Sequence, residues 1–297
     1  MRHSHMLFPF RRKALPTARM VCGWALLVFL STLSVPQAES TDSETANPKT
    51  PRDSVPQTMV GVPPADPLNR GVRNIAFGVG EKLSFDINYG FINAGHASME
   101  VMRVIDWSGR PSFFVRTLAN SNEFFSSIFP VRDTVVTIID AIGVFSWRFD
   151  KRLKEGSYRA DRLAIFDQLA QKAMYKSDTF DVGPFCQDAL SALYFTRTQE
   201  LIAGQSLKFP SFTDGRVKPL EVRVLRKERI EVEAGTFDCI VVEPLLGEAG
   251  IFRHEGRLTV WLTDDRLRLP VLMKSKVLVG AISAELVDYE LGEIEDF

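Results

Sequence analysis

The sequence has few of the residues that most often carry out catalysis or bind metal ions. Its 297 residues include four histidines and three cysteines, with no Cys-x-x-Cys pair and no Gly-x-Ser-x-Gly elbow. His254-Glu255 resembles the start of a zinc-protease helix, but Leu258 stands where the second histidine is needed. A net charge of −1 argues against the basic field of a nucleic-acid-binding protein. We therefore expect no metal, no cofactor, no nucleic-acid partner and no enzymatic activity.

Long apolar stretches are also scarce, and the only one lies near the N-terminus, at 20–30. Basic residues without any acid precede it, and small residues follow. This pattern predicts a signal peptide over residues 1–40, cleaved after Ser40 or, alternatively, after Ala38. An uncleaved anchor remains a second interpretation, although the stretch is shorter than the roughly 20 residues of a membrane span. We expect a periplasmic protein.

Residues 41–74 contain six prolines among serine, threonine and aspartate, and few apolar side chains. Such a segment buries too little surface to offset the entropy of ordering it. The composition predicts a disordered linker over 41–74, followed by a single β-rich domain over 75–297.

Within that domain, apolar and polar residues alternate with the period of a half-buried strand, as in Leu83, Phe85 and Ile87. Turn signals separate the strands, among them Asn93-Ala94-Gly95 and Asp214-Gly215. Many strands with short turns imply an antiparallel meander, which curls when it has about ten strands or more. The predicted fold is mainly β: a large curved antiparallel sheet, a half-barrel or open barrel, with one or two short helices packed against it.

The clearest helix signal covers residues 188–197. Asp188 is a favourable N-cap, while Leu190, Leu193, Tyr194 and Arg197 recur at helical spacing. Arg197 at the end complements the helix dipole. A second, weaker signal covers 122–129.

Two cysteines, Cys186 and Cys239, remain beyond the predicted signal peptide. In an oxidising compartment they can form one disulfide, which we put forward as a hypothesis. The alternative is two separate buried thiols, since free cysteine packs as a small hydrophobic residue.

Aromatic residues are more numerous than a thin sheet needs to bury. A large core explains them, but so does an apolar cavity between the curved sheet and the helix. Arg132, within an apolar strand, is either ion-paired or a contact to a polar head group at the rim of such a cavity. The hypothetical ligand-binding residues are Arg132, Leu190, Leu193, Tyr194, Arg197 and Trp261.

Several phrases, in this order, resemble a bacterial family filed as domain of unknown function 3108. They are VGEKL at 79–83, AG at 94–95, VRD at 131–133, QDALSALYFTR at 187–197, AGTFDC at 234–239, VWLTDD at 260–265 and LP at 269–270. The resemblance runs from about Phe77 to Leu291. It implies an exported envelope protein with a curved antiparallel sheet, similar to that of periplasmic lipoprotein carriers, and it implies no catalytic residues.

These observations favour a periplasmic carrier for an apolar or lipidated ligand in envelope biogenesis. Its expected partner is a lipid or a lipoprotein, and its contact with the membrane is peripheral at most. One alternative is a scaffold that binds a partner through a sheet edge. Another is a hydrolase with an unrecognised triad, which requires His96 or His254 beside a serine or cysteine.

Overall fold

A computed structural model describes residues 66–246, 258–276 and 280–297 of the chain. Within these ranges two short helices occur, α1 (Glu123–Ile128) and α2 (Ala189–Thr198). The strands are β1 (Lys82–Tyr89), β2 (Ile92–Trp107), β3 (Arg110–Ser121), β4 (Arg132–Asp140), β5 (Ser146–Glu155), β6 (Tyr158–Asp167), β7 (Lys172–Tyr175), β8 (Asp178–Asp181), β9 (Ser206–Thr213), β10 (Arg216–Val232), β11 (Gly235–Leu246), β12 (Leu258–Thr263), β13 (Pro270–Lys276) and β14 (Ala281–Glu290).

All of these strands belong to one antiparallel sheet in the order β8-β7-β6-β5-β4-β3-β2-β1-β14-β13-β12-β11-β10-β9. Each half is a meander, and the first and last strands join the halves, as in the pairing of Phe85 with Leu286. Alternate residues such as Leu83 and Phe85 face a single core inside the curve. The predicted fold, a large curved antiparallel sheet with one or two short helices, is confirmed.

The two ends of the sheet meet through side chains at what we call the seam. There, Phe212 on β9 lies 5.2 to 6.0 Å, between ring centroids, from three aromatic rings of the opposite end, those of Phe166, Tyr175 and Phe180. The connecting segment also pairs with β9, because Gln187 N donates to Pro210 O at 3.0 Å and its carbonyl accepts from Phe212 N at 2.9 Å. The curved sheet thus encloses its core almost completely.

The register of the strands gives the sheet two ends. The upper rim is the end that carries the turn 90–91, helix α1 and the turn 156–157. The lower rim is the opposite end and carries the turns 108–109 and 168–171.

Both predicted helices are present within one residue of their expected bounds. Asp188 caps α2 and Asn122 caps α1, each through a side-chain oxygen that accepts from backbone N–H groups. Helix α2 is buried on almost all sides, because it lies within the concave face of the sheet.

The predicted turn at Asn93-Ala94-Gly95 is wrong, because these residues belong to strand β2 and the chain reverses at Gly90 and Phe91. A glycine is needed at position 95 for a reason other than a turn. A Cβ atom there would lie 2.1 Å from Asn120 O on β3, so glycine permits a close approach of two strands.

The linker prediction is wrong for residues 66–74, which lie against the sheet. Leu68 is buried beside Phe145 and Trp147. Arg70 Nε donates to Gly143 O at 2.6 Å, and its guanidinium lies 3.8 Å from the ring centre of Phe195. Two anchoring side chains order a segment whose composition is otherwise that of a linker.

The remaining predictions for the N-terminus fall outside the described residues. They concern the signal peptide over 1–40 and the linker over 41–65. His254 also lies outside them. Within the described ranges, no helix has the length and apolar composition needed to cross a bilayer.

The hypothesis of a disulfide between Cys186 and Cys239 is wrong in this structure, where both are free buried thiols. Cys186 belongs to the core inside the sheet, whereas Cys239 packs with Val241, Trp261 and Val271 in a separate cluster. Because the two thiols lie in different clusters, the alternative of two packed free cysteines describes them correctly.

Candidate functional site

A partly open pocket lies between helix α2 and strands β10 to β13. It contains about 620 Å³ of space, including solvent at its open mouth, and about 60 Å³ of this space can hold the centre of a water molecule. That inner space exceeds the roughly 10–15 Å³ needed for one water. The pocket is therefore large enough for part of a small molecule.

Among the residues that the structure describes, the lining of the pocket is apolar and contains no charged side chain. It consists of Met99, Ala189, Leu190, Ala192, Leu193, Thr196, Leu220, Val222, Val242, Pro244, Leu258, Val260 and Met273. The single hydroxyl, that of Thr196, already donates to Ala192 O at 2.7 Å. The side chains thus offer a ligand van der Waals contact and no free hydrogen-bonding group.

The pocket extends toward the upper rim. Leu258 begins β12 opposite Ser275, and the next residue of β13, Lys276, lies opposite Ala281 at the start of β14. Tyr89, at the end of β1, pairs with the neighbouring Ile282. The pocket residues of β12 therefore lie at the same end of the sheet as the β1–β2 turn.

Asp188 fixes the N-terminal end of α2 against the sheet. Its Oδ1 accepts from Leu190 N at 2.7 Å and from Ser191 N at 2.9 Å, while its Oδ2 accepts from Thr137 Oγ1 on β4 at 2.6 Å. Complete burial raises the pKa of this carboxyl group above its ordinary value, and the hydrogen bonds oppose that rise. One side chain both caps the helix and ties it to a strand.

Arg197 fixes the C-terminal end of α2. Its Nη1 and Nη2 donate to the two carboxylate oxygens of Glu81 at 2.7 and 2.6 Å. Nη2 also donates to Ala76 O at 3.0 Å and to Leu267 O at 3.2 Å. This buried ion pair positions the helix and does not face the pocket.

The structure places only two of the six hypothetical ligand-binding residues, Leu190 and Leu193, in the pocket wall. Tyr194 is fully buried against Phe77, at 4.6 Å between ring centroids, and its hydroxyl has no hydrogen-bond partner among the described residues. Burial raises its pKa, and the nearby carboxylate of Glu81 adds to that effect. Tyr194 is thus a core residue in this structure.

Trp261 and Arg132 lie on the other side of the sheet. Trp261 packs in the cluster with Cys239, while its neighbour Val260 lines the pocket. Arg132 is exposed at the start of β4 on the upper rim, and its neighbour Asp133 is buried. Adjacent strand residues face opposite sides, so each prediction falls one residue away from an inward position.

Sequence reasoning missed the strand side of the pocket, including Val222, Val242 and Met273. The signal was present in the alternation of Leu220, Val222 and Val224, which marks the inner face of β10. That alternation identifies a buried face, but it does not distinguish filled positions from those beside a cavity.

A second group of interior side chains, near the seam, is polar. Lys151 Nζ lies 2.6 Å from Asp214 Oδ2, and Tyr175 Oη donates to Asp214 Oδ1 at 3.4 Å. These contacts link β5 and β7 to the β9–β10 turn. The ion pair therefore joins the two ends of the sheet inside the molecule.

Asp133 and Glu155 form a buried acidic pair beside this ion pair. Burial, followed by the charge of Asp133, raises the pKa of Glu155 to about 7. Burial also raises the pKa of Asp133, whose Oδ1 accepts from Lys154 N at 2.6 Å. Two carboxyls so placed do not readily ionise together.

His96 is exposed on strand β2, where its Nδ1 lies 2.7 Å from Asp86 Oδ1. Its hydrogen bonds within the described residues involve no serine or cysteine. Those residues also contain no group of three or more His, Cys, Asp or Glu side chains suited to a metal ion.

A family model described as "Protein of unknown function (DUF3108)" matches residues 84–287 of the chain. No curated protein matches the sequence. Among solved structures, a β-barrel-like protein of domain of unknown function DUF1849 from Brucella abortus is similar, with a TM-score of 0.50 and 12% identity. The match covers 73% of this chain and 100% of that chain, and it shows a shared fold.

Two further solved structures are less similar. One is a Bacteroides fragilis protein with a YMCC-like fold, proposed to be exported, with a TM-score of 0.35 and 10% identity over 74% of this chain and 99% of that chain. The other is a Parabacteroides distasonis protein proposed to be a lipoprotein, with a TM-score of 0.34 and 11% identity over 74% of this chain and 99% of that chain.

Proposed function

The chain belongs to the DUF3108 family of proteins of unknown function, and from this premise we propose that it is a non-enzymatic periplasmic protein that binds an apolar or lipidated ligand. The observation that carries the proposal is the pocket beside α2. Its side chains are apolar, and its one hydroxyl is already bonded within the helix.

The chemistry of the wall defines the ligand. A buried polar or charged group would find no partner among the lining side chains and would cost free energy. An aliphatic chain gains roughly 0.8 kcal/mol for each methylene that leaves water. The ligand therefore places a hydrocarbon part in the pocket and keeps any polar head group at the mouth.

The two ends of α2 support this role because they hold one wall of the pocket in place. Asp188 binds the helix to β4, and Arg197 binds it to Glu81 directly before β1, through buried polar contacts. A wall fixed in this way keeps the cavity open between ligands, which reduces the free-energy cost of binding.

The alternatives receive less support from the described residues. A scaffold that pairs through a sheet edge needs an available edge. Of the two terminal strands, β9 is already bonded to Gln187 and packed at the seam, and β8 has only 4 residues. A hydrolase built on His96 needs a nearby nucleophile, and the bonded partner of His96 is Asp86.

The test is to titrate the purified protein with a fluorescent fatty acid, after native mass spectrometry of protein purified from its own envelope. Leu193→Trp narrows the pocket and is expected to weaken probe binding by about tenfold or more, which corresponds to about 1.4 kcal/mol. Leu163→Trp, at a residue on β6 that is not part of the pocket lining, is the matched control and leaves binding unchanged. A wild-type protein that neither carries a lipid nor binds the probe would refute the proposal.

A further inference from the structure

The upper rim exposes large apolar side chains to solvent. Phe91 is fully exposed, and Ile92, Phe124 and Ile128 are 58, 66 and 70% exposed. Single exposed apolar residues are common on soluble proteins, but a group of them at one end of a molecule marks a contact surface.

These side chains belong to one connected arc. Asn122 Nδ2, at the start of α1, donates to Asn93 O beside the β1–β2 turn at 2.8 Å. At the other end of α1, Phe129 packs so closely on Gly156 that a Cβ atom there would lie 2.5 Å from its ring. The β1–β2 turn, α1 and the β5–β6 turn therefore support one another.

Helix α1 has no buried residue, although its sequence is EFFSSI. Phe124 and Ile128 are four residues apart and so share one face of the helix. A helix of six residues is too short to be stable by its own propensity, and here its capping contacts hold it on the rim. The apolar face of α1 is thus presented to solvent.

A row of basic side chains lies next to this arc on the outer face. Lys154 pairs with Arg159 across β5 and β6. The ladder of β4 and β5 places Arg132 opposite Lys154. Within the described residues, none of the three has a carboxylate at ion-pair distance. Two exposed acids lie in this part of the molecule: Asp161, which is opposite Arg152 two residue pairs farther from the rim, and Glu123 at the start of α1. Like charges opposite one another are unfavourable in a sheet, so this row attracts an anion.

We propose that the upper rim docks on the surface of a membrane that contains anionic phospholipid. Phe91, Phe124 and Ile128 enter the head-group region, and the basic row binds lipid phosphates. Exposed aromatic and aliphatic side chains beside lysine and arginine are the combination that such a surface binds. The proposal goes beyond ligand binding and does not require the pocket to be occupied.

The experiment is sedimentation of the purified full chain with phosphatidylcholine vesicles, with and without phosphatidylglycerol. The triple variant Arg132→Ala, Lys154→Ala and Arg159→Ala is expected to lose about fivefold in affinity per removed charge on the anionic vesicles. The double variant Phe91→Ser and Phe124→Ser is expected to lose about tenfold or more. The wild type and all variants share the same N-terminal segment. Any affinity of that segment for lipid therefore contributes equally to each protein and cancels when their affinities are compared.

Two control variants match these changes elsewhere on the molecule. Leu169→Ser alters a side chain that is 66% exposed on the lower rim. The combination Arg226→Ala, Lys227→Ala and Arg229→Ala removes the same charge from the exposed part of β10. Both controls are expected to bind anionic vesicles as the wild type does.

Three results would overturn the proposal. The wild type could fail to sediment with anionic vesicles, or the rim variants could bind as tightly as the controls. The third result concerns self-association, measured by analytical ultracentrifugation. If the wild type self-associates and the rim variants are monomeric, while vesicle binding is unchanged, the rim binds a second copy of the chain and not a membrane.

Discussion

Arg197 and Glu81 lie 116 residues apart in the chain and form a two-pronged ion pair that is buried from solvent. Arg197→Met would leave the Glu81 carboxylate buried without its partner, and we expect a loss of about 3–5 kcal/mol in the free energy of unfolding. Urea denaturation measures this loss. Adding Glu81→Leu to that variant removes the buried charge and is expected to restore most of the stability.

The exposed pair Lys82–Glu290, 3.7 Å apart, is the control for this ion pair. Lys82→Ala should change the free energy of unfolding by less than about 1 kcal/mol, because water screens exposed pairs. An Arg197→Met variant as stable as Lys82→Ala would contradict the structural role of the buried pair.

The acidic pair predicts how stability changes with pH. Burial raises the pKa of Glu155 from 4.5 to about 7, so the folded chain retains a proton that the unfolded chain has already lost. The free energy of unfolding should therefore decrease as the pH rises from 4.5 to about 7, and this contribution should be constant above that range. Urea midpoints measured across the interval test the slope.

Glu155→Gln removes the titrating group and should flatten that decrease, making the variant more stable than the wild type above neutral pH. Glu123→Gln, on the exposed helix α1, is the matched control and should retain the wild-type slope. Equal slopes in the wild type and Glu155→Gln would show that Glu155 titrates normally.

Asp188→Ala removes the cap of α2 together with its hydrogen bond to Thr137. We expect a loss of at least about 1–2 kcal/mol, since a cap alone contributes about that much. Asp188→Asn retains an oxygen that can accept from the backbone and should lose less. Thermal unfolding of both variants distinguishes these outcomes, and equal losses would mean that the negative charge matters more than the cap.

Both cysteines should behave as shielded thiols. Burial raises the pKa of Cys186 and that of Cys239 to about 12, and the thiolate is the reactive form. In protein cleaved at the predicted signal-peptide site, which lacks Cys22, a thiol reagent should therefore react slowly with the folded form and should titrate both thiols after denaturation without reductant. Cys239→Ser should leave one thiol under those conditions. No titratable thiol in the denatured wild type would restore the disulfide hypothesis.

Local signals in the sequence predicted the helices and the general architecture. Asp188 begins α2 because a short acid satisfies the free N–H groups of a first turn, and that effect needs only nearby residues. The same reasoning failed at Asn93-Ala94-Gly95, where glycine serves a contact with β3 and not a turn. The pattern of residues along one segment does not indicate which strand will lie beside that segment in the folded sheet.

The candidate site was predictable only in part, for a related reason. Leu190 and Leu193 follow from the helical period of α2, but Trp261 was predicted as one of the surplus aromatic residues although it faces outward. The seam and the ion pair of Lys151 with Asp214 join distant parts of the chain. Such contacts depend on how far the sheet curves, which summed strand twist determines and a single sequence does not reveal.

The pairing of β1 with β14 has a consequence for the order of assembly. Of the strands in this sheet, β1 is synthesised first and β14 last, so the hydrogen-bonding groups on one side of β1 stay without their partner until β14 has been made. Contacts between such distant segments make folding slow. Until β14 has paired with it, β1 has an exposed edge that can pair with other chains and cause aggregation. A chain truncated before residue 281 would therefore retain an open edge at β1, and its need for a chaperone should far exceed that of the complete protein.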